Sequence, residues 1–439
     1  MKKTLFISLA TFLITAGLCL LFMILTACIP QTAIEENAAR SAQYFYEIPL
    51  FEMSAGDLQN FKKDNYADCI TAGIAYHLGE GNPYRAVMSA DYNRVPGENV
   101  NVSFYRQMQG ESVVVESYSR YWHGQAGLVR MLYLLMDVQH MRYMMTAVGI
   151  ALHMAVALVL IRKKQIAMAV IYGLAFLLVN GIFALECFEY ASVFLLMPAA
   201  TLFLMHKRIA ENPEKVQLTF VVIGVLTAFF DFLTAETLTF TIPFTIYYIM
   251  VYNNKMAEID SRKSWRMLLH SGAAWFGGYA GMFLLKWILS AVTLGWTAWD
   301  SAFGSVAERI GGEVSLTANT AGEKANMAER IQGIFARNLG CLYWGDSDMQ
   351  VQSVIIITIA VILVLAGFWY LAREKRISMR GMGVPAVVAA IPYVRFLMIS
   401  NHSYIHYFFT YRAQMVTVLI ILYLIYSTTF LSRLGRKSK

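Results

Sequence analysis

MKKTLFISLATFLITAGLCLLFMILTAC, residues 1–28, decides the fold class. Two lysines precede an unbroken apolar run over residues 5–27. The run exceeds the roughly 7–15 residues of a secretory signal core and is long enough to cross about 30 Å of hydrocarbon. The closing LTAC resembles a bacterial lipoprotein cleavage box, which leaves a cleaved signal as the alternative. The length of the run favours an uncleaved first helix over 4–28. Similar runs follow at 141–161, 165–185, 191–205, 217–235, 240–252, 269–294, 351–372, 383–399 and 413–432. The chain therefore reads as an all-α polytopic membrane protein of about ten spans, since barrel strands are shorter and alternate in polarity.

Composition agrees. Of the 439 residues 57% are hydrophobic and only 15% charged, against about 25% charged in soluble domains. Neither a separate soluble domain nor an internal repeat is visible, so 1–439 reads as one integral membrane domain. Five cysteines without CxxC spacing give neither a metal framework nor a clear disulfide set.

The net charge of +7 is unevenly placed. Segments 2–3, 162–164, 207–215, 255–266, 373–380 and 433–439 hold 20 Lys and Arg against five acids; the rest of the chain holds 16 against 24. Under alternating spans all six basic segments fall on one side, the cytoplasmic one by the positive-inside rule. The basic balance is topogenic and argues against nucleic acid as a partner. Both termini are then cytoplasmic, in a bacterial plasma membrane. Two large loops, 29–140 with amphipathic helices and 295–350, face the extracytoplasmic side.

The unusual chemistry gathers on that side. SNHSYIHYFFTYRAQ (400–414) places His402, His406 and Arg412 between two apolar runs, with Arg395 just before it. RYWHG supplies Arg120, Trp122 and His123 where the first loop returns to the membrane. These residues form either an interfacial aromatic belt or a phosphate and sugar contact, in which arginine forks onto phosphate and aromatic faces stack on sugar rings. Lys286, in GGYAGMFLLKW, is a cation inside a span, and such cations usually have a partner or a function. Glu186, Glu189, Asp231 and Glu236 stand at outer span ends, so structural ion pairs compete with ligand binding. Asp68, in NYADCITAGIAYH, is either a solvated structural acid or a general base. His402 and His406 have a metal-ligand spacing but no accompanying HExxH glutamate. GDSD (345–348) reads as surface acids. No cofactor is required on this reading, and a divalent metal has no specific support.

The long first loop with a membrane-proximal acid, the re-entrant SRYWHGQAGLVRMLYLL and the span count together resemble the GT-C class of membrane glycosyltransferases. The resemblance is one of architecture along most of the chain. It implies a sugar donor carried on a polyprenyl phosphate, a glycan or lipid acceptor and membrane lipids as surroundings. It also implies an inverting transfer with Asp68 as base, for which Glu36, Glu47 and Asp91 are alternatives. The leaving phosphate would be held by Arg412, Lys286 and His402 or His406, with Arg120, Trp122, His123 and Arg395 completing the substrate site. A lipid or solute transporter without covalent chemistry is the rival reading. It would more often show inverted repeats and broken helices at the midplane. A membrane acyltransferase would need a His–Asp-type pair that HSYIH does not match.

Overall fold

The computed structural model describes residues 2–54, 56, 58–252, 260–311, 327–343, 359, 363, 366–367 and 379–428. The expected span 351–372 and the GDSD acids lie outside the described residues, apart from four isolated positions in the span.

The first apolar run forms α1 (Lys2–Ala27). It stops short of Pro30, which has no amide hydrogen to donate, and the chain restarts as α2 (Gln31–Glu47). This second helix buries Ile34, Ala38, Ser41, Ala42 and Phe45, one stripe at helical spacing. Three helices follow: α3 (Asn65–His77), α4 (Pro83–Ser89) and α5 (Val100–Met108). Beside them stand two three-residue antiparallel pairs, β1 (Phe51–Met53) with β2 (Lys62–Asp64) and β3 (Tyr92–Arg94) with β4 (Val114–Glu116). In register, Phe51 faces Asp64 and Tyr92 faces Glu116. These pairs qualify the expected all-α class, although the molecule is mostly helical. The first loop is thus a small folded layer, closed by α6 (Gly124–Leu132).

The remaining helices are mostly apolar. They are α7 (Val138–Arg162), α8 (Ile166–Leu178), α9 (Gly181–Ala184), α10 (Phe188–Leu204), α11 (Lys207–Ala210), α12 (Pro213–Phe230), α13 (Leu238–Tyr252) and α14 (Ser261–Leu294). Then come α15 (Trp296–Ile310), α16 (Met327–Gly340), α17 (Met379–Met398), α18 (Ser400–Ile405), α19 (Tyr407–Thr410) and α20 (Met415–Thr428). Among the described residues, five helical stretches are long and apolar enough to cross a membrane: 3–27, 138–162, 213–230, 261–294 and 407–426. Four shorter apolar helices, at 166–178, 188–204, 238–251 and 383–398, accompany them. The protein is membrane-embedded; these nine helices fall on nine of the ten expected spans by position, five of them long enough to cross by themselves. The third expected span breaks at Asn180, whose φ of 52° leaves the right-handed helical region. The fifth stops at Asp231, which turns the chain instead of continuing the helix.

Between α12 and α14 the backbones nearly touch. A Cβ built on Gly224 would stand 2.1 Å from the Trp275 carbonyl oxygen, and one on Gly278 would stand 2.4 Å from that of Val221. Small residues let helices approach this closely where no hydrophobic force separates lipid from protein.

Two buried cations fasten the 29–140 layer to the bundle. Helix ends leave carbonyls without intrahelical partners. Arg130 donates from Nε to Thr26 O (2.9 Å), from Nη1 to Ala75 O (2.8 Å) and Tyr76 O (2.9 Å), and from Nη2 to Ile29 O (2.5 Å). It thereby serves the ends of α1 and α3 together. Lys286 Nζ donates to Val87 O (2.7 Å) and Met88 O (3.0 Å) in the last turn of α4.

Candidate functional site

A polar cavity of about 120 Å³ lies where the 29–140 layer meets the bundle. Its wall includes Asp64, Tyr66, Tyr118, Tyr121, His123, Glu189, Phe232, Arg309, His402, His406 and Phe409. Each comes from a local device. Asp64 caps α3, its carboxylate accepting from Ala67 N at 2.9 Å. Glu189 sits in the first turn of α10, and Arg309 in the last turn of α15. His123 precedes α6 with a φ of 54°. His402 belongs to α18, while His406 stands between α18 and α19; their rings meet at 4.6 Å.

The hydrogen-bond inventory shows what this wall lacks. The Nε2 of His123 donates to Tyr118 O at 2.9 Å, since a carbonyl can only accept. Its Nδ1 is then an acceptor in the neutral ring, buried and without a partner. Burial depresses the His123 imidazole to about 3, which keeps it neutral. Glu189 Oε2 and His406 Nδ1 are likewise buried without partners. Asp64 is pushed up to about 7, chiefly by burial, with the nearby Asp68 charge adding to the rise and the Ala67 amide opposing it. Among the described residues the cavity thus presents unpartnered polar atoms, of which His123 Nδ1 is an acceptor. Each buried orphan costs on the order of 1–3 kcal/mol, which a hydroxyl-rich ligand would relieve.

A second cavity of about 310 Å³ adjoins the first, and Tyr121 and Arg309 line both. Its other walls are mostly apolar: Phe276, Tyr279, Phe283 and Trp287 of α14, Ala302 and Val306 of α15, and Met398. Arg120 also lines it. The Arg120 guanidinium lies 4.2 Å from the Tyr118 ring centroid, and that of Arg309 lies 5.4 Å from Tyr121. Both arginines have a buried Nε without a partner, and no carboxylate among the described residues forms a salt bridge with either. Two unneutralised cations at one end of an apolar groove form an anion site joined to an apolar channel.

Several residues singled out in the sequence are committed elsewhere. Asp68, the expected base, is fully buried and does not line the cavity. Its Oδ2 accepts from Arg142 Nη2 at 2.6 Å and Nε at 3.1 Å, and from Phe188 N at 3.0 Å, while Oδ1 takes Glu189 N at 3.2 Å. Those contacts use its lone pairs to tie α3, α7 and α10, so the geometry makes it a structural anchor. Trp122 is wholly buried and donates from Nε1 to Met282 O at 2.7 Å, with no face open to a sugar. Lys286 serves α4, as described above. Arg395 pairs with Glu236 at 2.9 Å and donates to Leu233 O. Arg412 donates to Phe408 O and Asn60 O and lies 4.9 Å from the Tyr190 ring centroid. The expected convergence of Arg412 and Lys286 with the histidines is therefore replaced by one of Arg309 and Arg120 with His123, His402 and His406.

Asp64 and Arg309 escaped the sequence reading. Asp64 stands one helical turn before Asp68, and its signal is the cap position ahead of an apolar helix. Arg309 is the penultimate residue of WTAWDSAFGSVAERI, an amphipathic stretch whose aromatics suit a membrane surface. Among the described residues no group of three or more His, Cys, Asp and Glu is placed to hold a metal ion. Comparison of the chain with family models, with curated proteins and with solved structures finds no match.

Proposed function

We propose that the protein is a membrane glycosyltransferase that moves a sugar from a polyprenyl-phosphate donor to an extracytoplasmic acceptor. The observation that carries this reading is the junction of the two cavities at Tyr121 and Arg309. One side offers buried unpartnered polar atoms suited to sugar hydroxyls; the other offers an apolar groove with two guanidinium groups that no carboxylate among the described residues neutralises, suited to a lipid phosphate.

The residues divide the work accordingly. The polyprenyl chain runs along Phe276, Phe283 and Trp287, and its phosphate meets Arg309 and Arg120. The sugar enters the polar cavity, where Tyr and Phe faces flank it and His123 Nδ1 accepts a hydrogen bond from one of its hydroxyls. Asp64 takes the proton of the acceptor hydroxyl as that oxygen bonds to the sugar's anomeric carbon. The bond from that carbon to the phosphate oxygen breaks, and its electron pair leaves with the phosphate. Attack from the face opposite the leaving group inverts the centre. Fixed cations in a site of low dielectric stabilise the charge that develops on the phosphate. With its carboxyl raised to about 7, Asp64 is a stronger base than an ordinary carboxylate and is still largely deprotonated just above neutrality.

The test is a purified sample in proteoliposomes, given a polyprenyl-phosphate sugar labelled in the sugar. Release of free polyprenyl phosphate that depends on Asp64 supports transfer. Movement of labelled lipid across the bilayer with no bond broken would favour the transporter instead. Lipid extracts of a deletion strain should accumulate the intact donor.

A further inference from the structure

A third cavity, of about 460 Å³, is a groove that neither the polar site nor the donor channel uses. It lies between α6, α7, α10 and α12 and opens on their lipid-facing side, where Leu128, Met144 and Val148 are each more than a third exposed. Four methionines, Met131, Met141, Met144 and Met145, form much of its wall. Thioether side chains are flexible and fit irregular apolar chains. Among the described residues no Lys, Arg, Asp or Glu lines it. A phosphate seated there would have no counter-charge in a medium where unpaired charge is costly.

The groove has one polar feature. Gln125 is 4% exposed, and its Nε2 donates to Phe188 O at 2.9 Å and to Ser192 Oγ. Ser192 Oγ–H itself points to Phe188 O. These contacts fix the amide, because the flipped form would set two carbonyl oxygens face to face. Oε1 is therefore the free atom, buried and without a partner. It calls for a neutral donor such as a hydroxyl.

We infer that this groove binds a neutral, hydroxyl-bearing lipid of the diacylglycerol class, its chains among the methionines and its hydroxyl donating to Gln125 Oε1. A head group held there stands at the first turn of α10. Phe188 and Ser192 of that turn line the groove, and Glu189 lines the polar cavity.

Two diazirine lipids with identical chains test this in phosphatidylethanolamine vesicles, one a diacylglycerol and one the same lipid with its hydroxyl acetylated, neutral but without a donor. Loss of one hydrogen bond shifts occupancy about fivefold. Diacylglycerol should label the α7 and α10 walls at least that much more than its acetylated form, and Gln125→Leu should erase the difference. Leu196→Trp, which fills the groove from a lipid-facing position, should abolish labelling by both. Equal labelling by the two probes, or none, overturns the inference and leaves a surface wetted by bulk lipid.

Discussion

Asp64→Asn separates chemistry from folding at the proposed site. In the native structure the Asp64 carboxylate does two things: it accepts from Ala67 N at 2.9 Å as the cap of α3, and it lines the cavity with a proton affinity raised to about 7. Asparagine keeps the first role, since its side-chain oxygen caps a helix about as well as aspartate does, whereas alanine costs about 1 kcal/mol. It loses the second role entirely, because an amide takes no proton at neutral pH. A positioned base contributes on the order of 10²–10⁴ in rate. Asp64→Asn should therefore lower the transfer rate by that factor with a melting temperature within a degree or two of wild type. Asp64→Ala should lower both. Because only the deprotonated form acts as base, the wild-type rate should climb as pH rises through about 7. His123, held neutral down to about 3, adds no limb near neutrality. The assay is initial transfer rate in proteoliposomes across pH 5–9, roughly bracketing the expected limb, beside thermal unfolding in detergent. Retention of more than a tenth of the activity in the asparagine variant, or an unchanged pH limb, would refute the assignment and move the base to Glu189.

Asp68→Asn should behave oppositely, losing stability first. It leaves the buried Arg142 guanidinium without its counter-charge, a change worth about 3–5 kcal/mol. Thermal unfolding should show it, and the double substitution with Arg142→Met should recover part of the loss. Gly224→Leu should prevent α12 and α14 from seating, since even a Cβ would stand 2.1 Å from a backbone oxygen; loss of monodisperse protein on gel filtration checks this, and normal yield contradicts it. Arg309→Lys should raise the KM for the polyprenyl-phosphate donor several-fold with little change in its charge complementarity. Lysine keeps the cation and loses the planar fork, so an unchanged KM would remove Arg309 from the phosphate site.

Hydropathy and charge are local properties of the chain, so the apolar spans and the membrane class were legible in order along it. The run over 5–27 becomes α1 whatever surrounds it, because a bilayer satisfies apolar side chains and obliges the backbone to bond within itself. The gathering of histidine, arginine and acid near the ends of the spans was legible for the same reason. Which of them pair was not. Asp68 meets Arg142 across 74 residues, Lys286 meets Met88 across 198, and Arg395 meets Glu236 across 159. A buried charge is tolerable only beside the partner that the packed helices deliver, and sequence spacing carries no record of that delivery. Tertiary packing turned Asp68, Trp122, Lys286, Arg395 and Arg412 inward to hold the layers together. Among the described residues it left Glu189 Oε2 and His123 Nδ1 unpartnered, and Arg120 and Arg309 each with a bare Nε, while Asp64 lines the polar cavity beside them. From the sequence these were interchangeable acids and bases; the difference lies in which lone pairs and N–H groups the fold had already used.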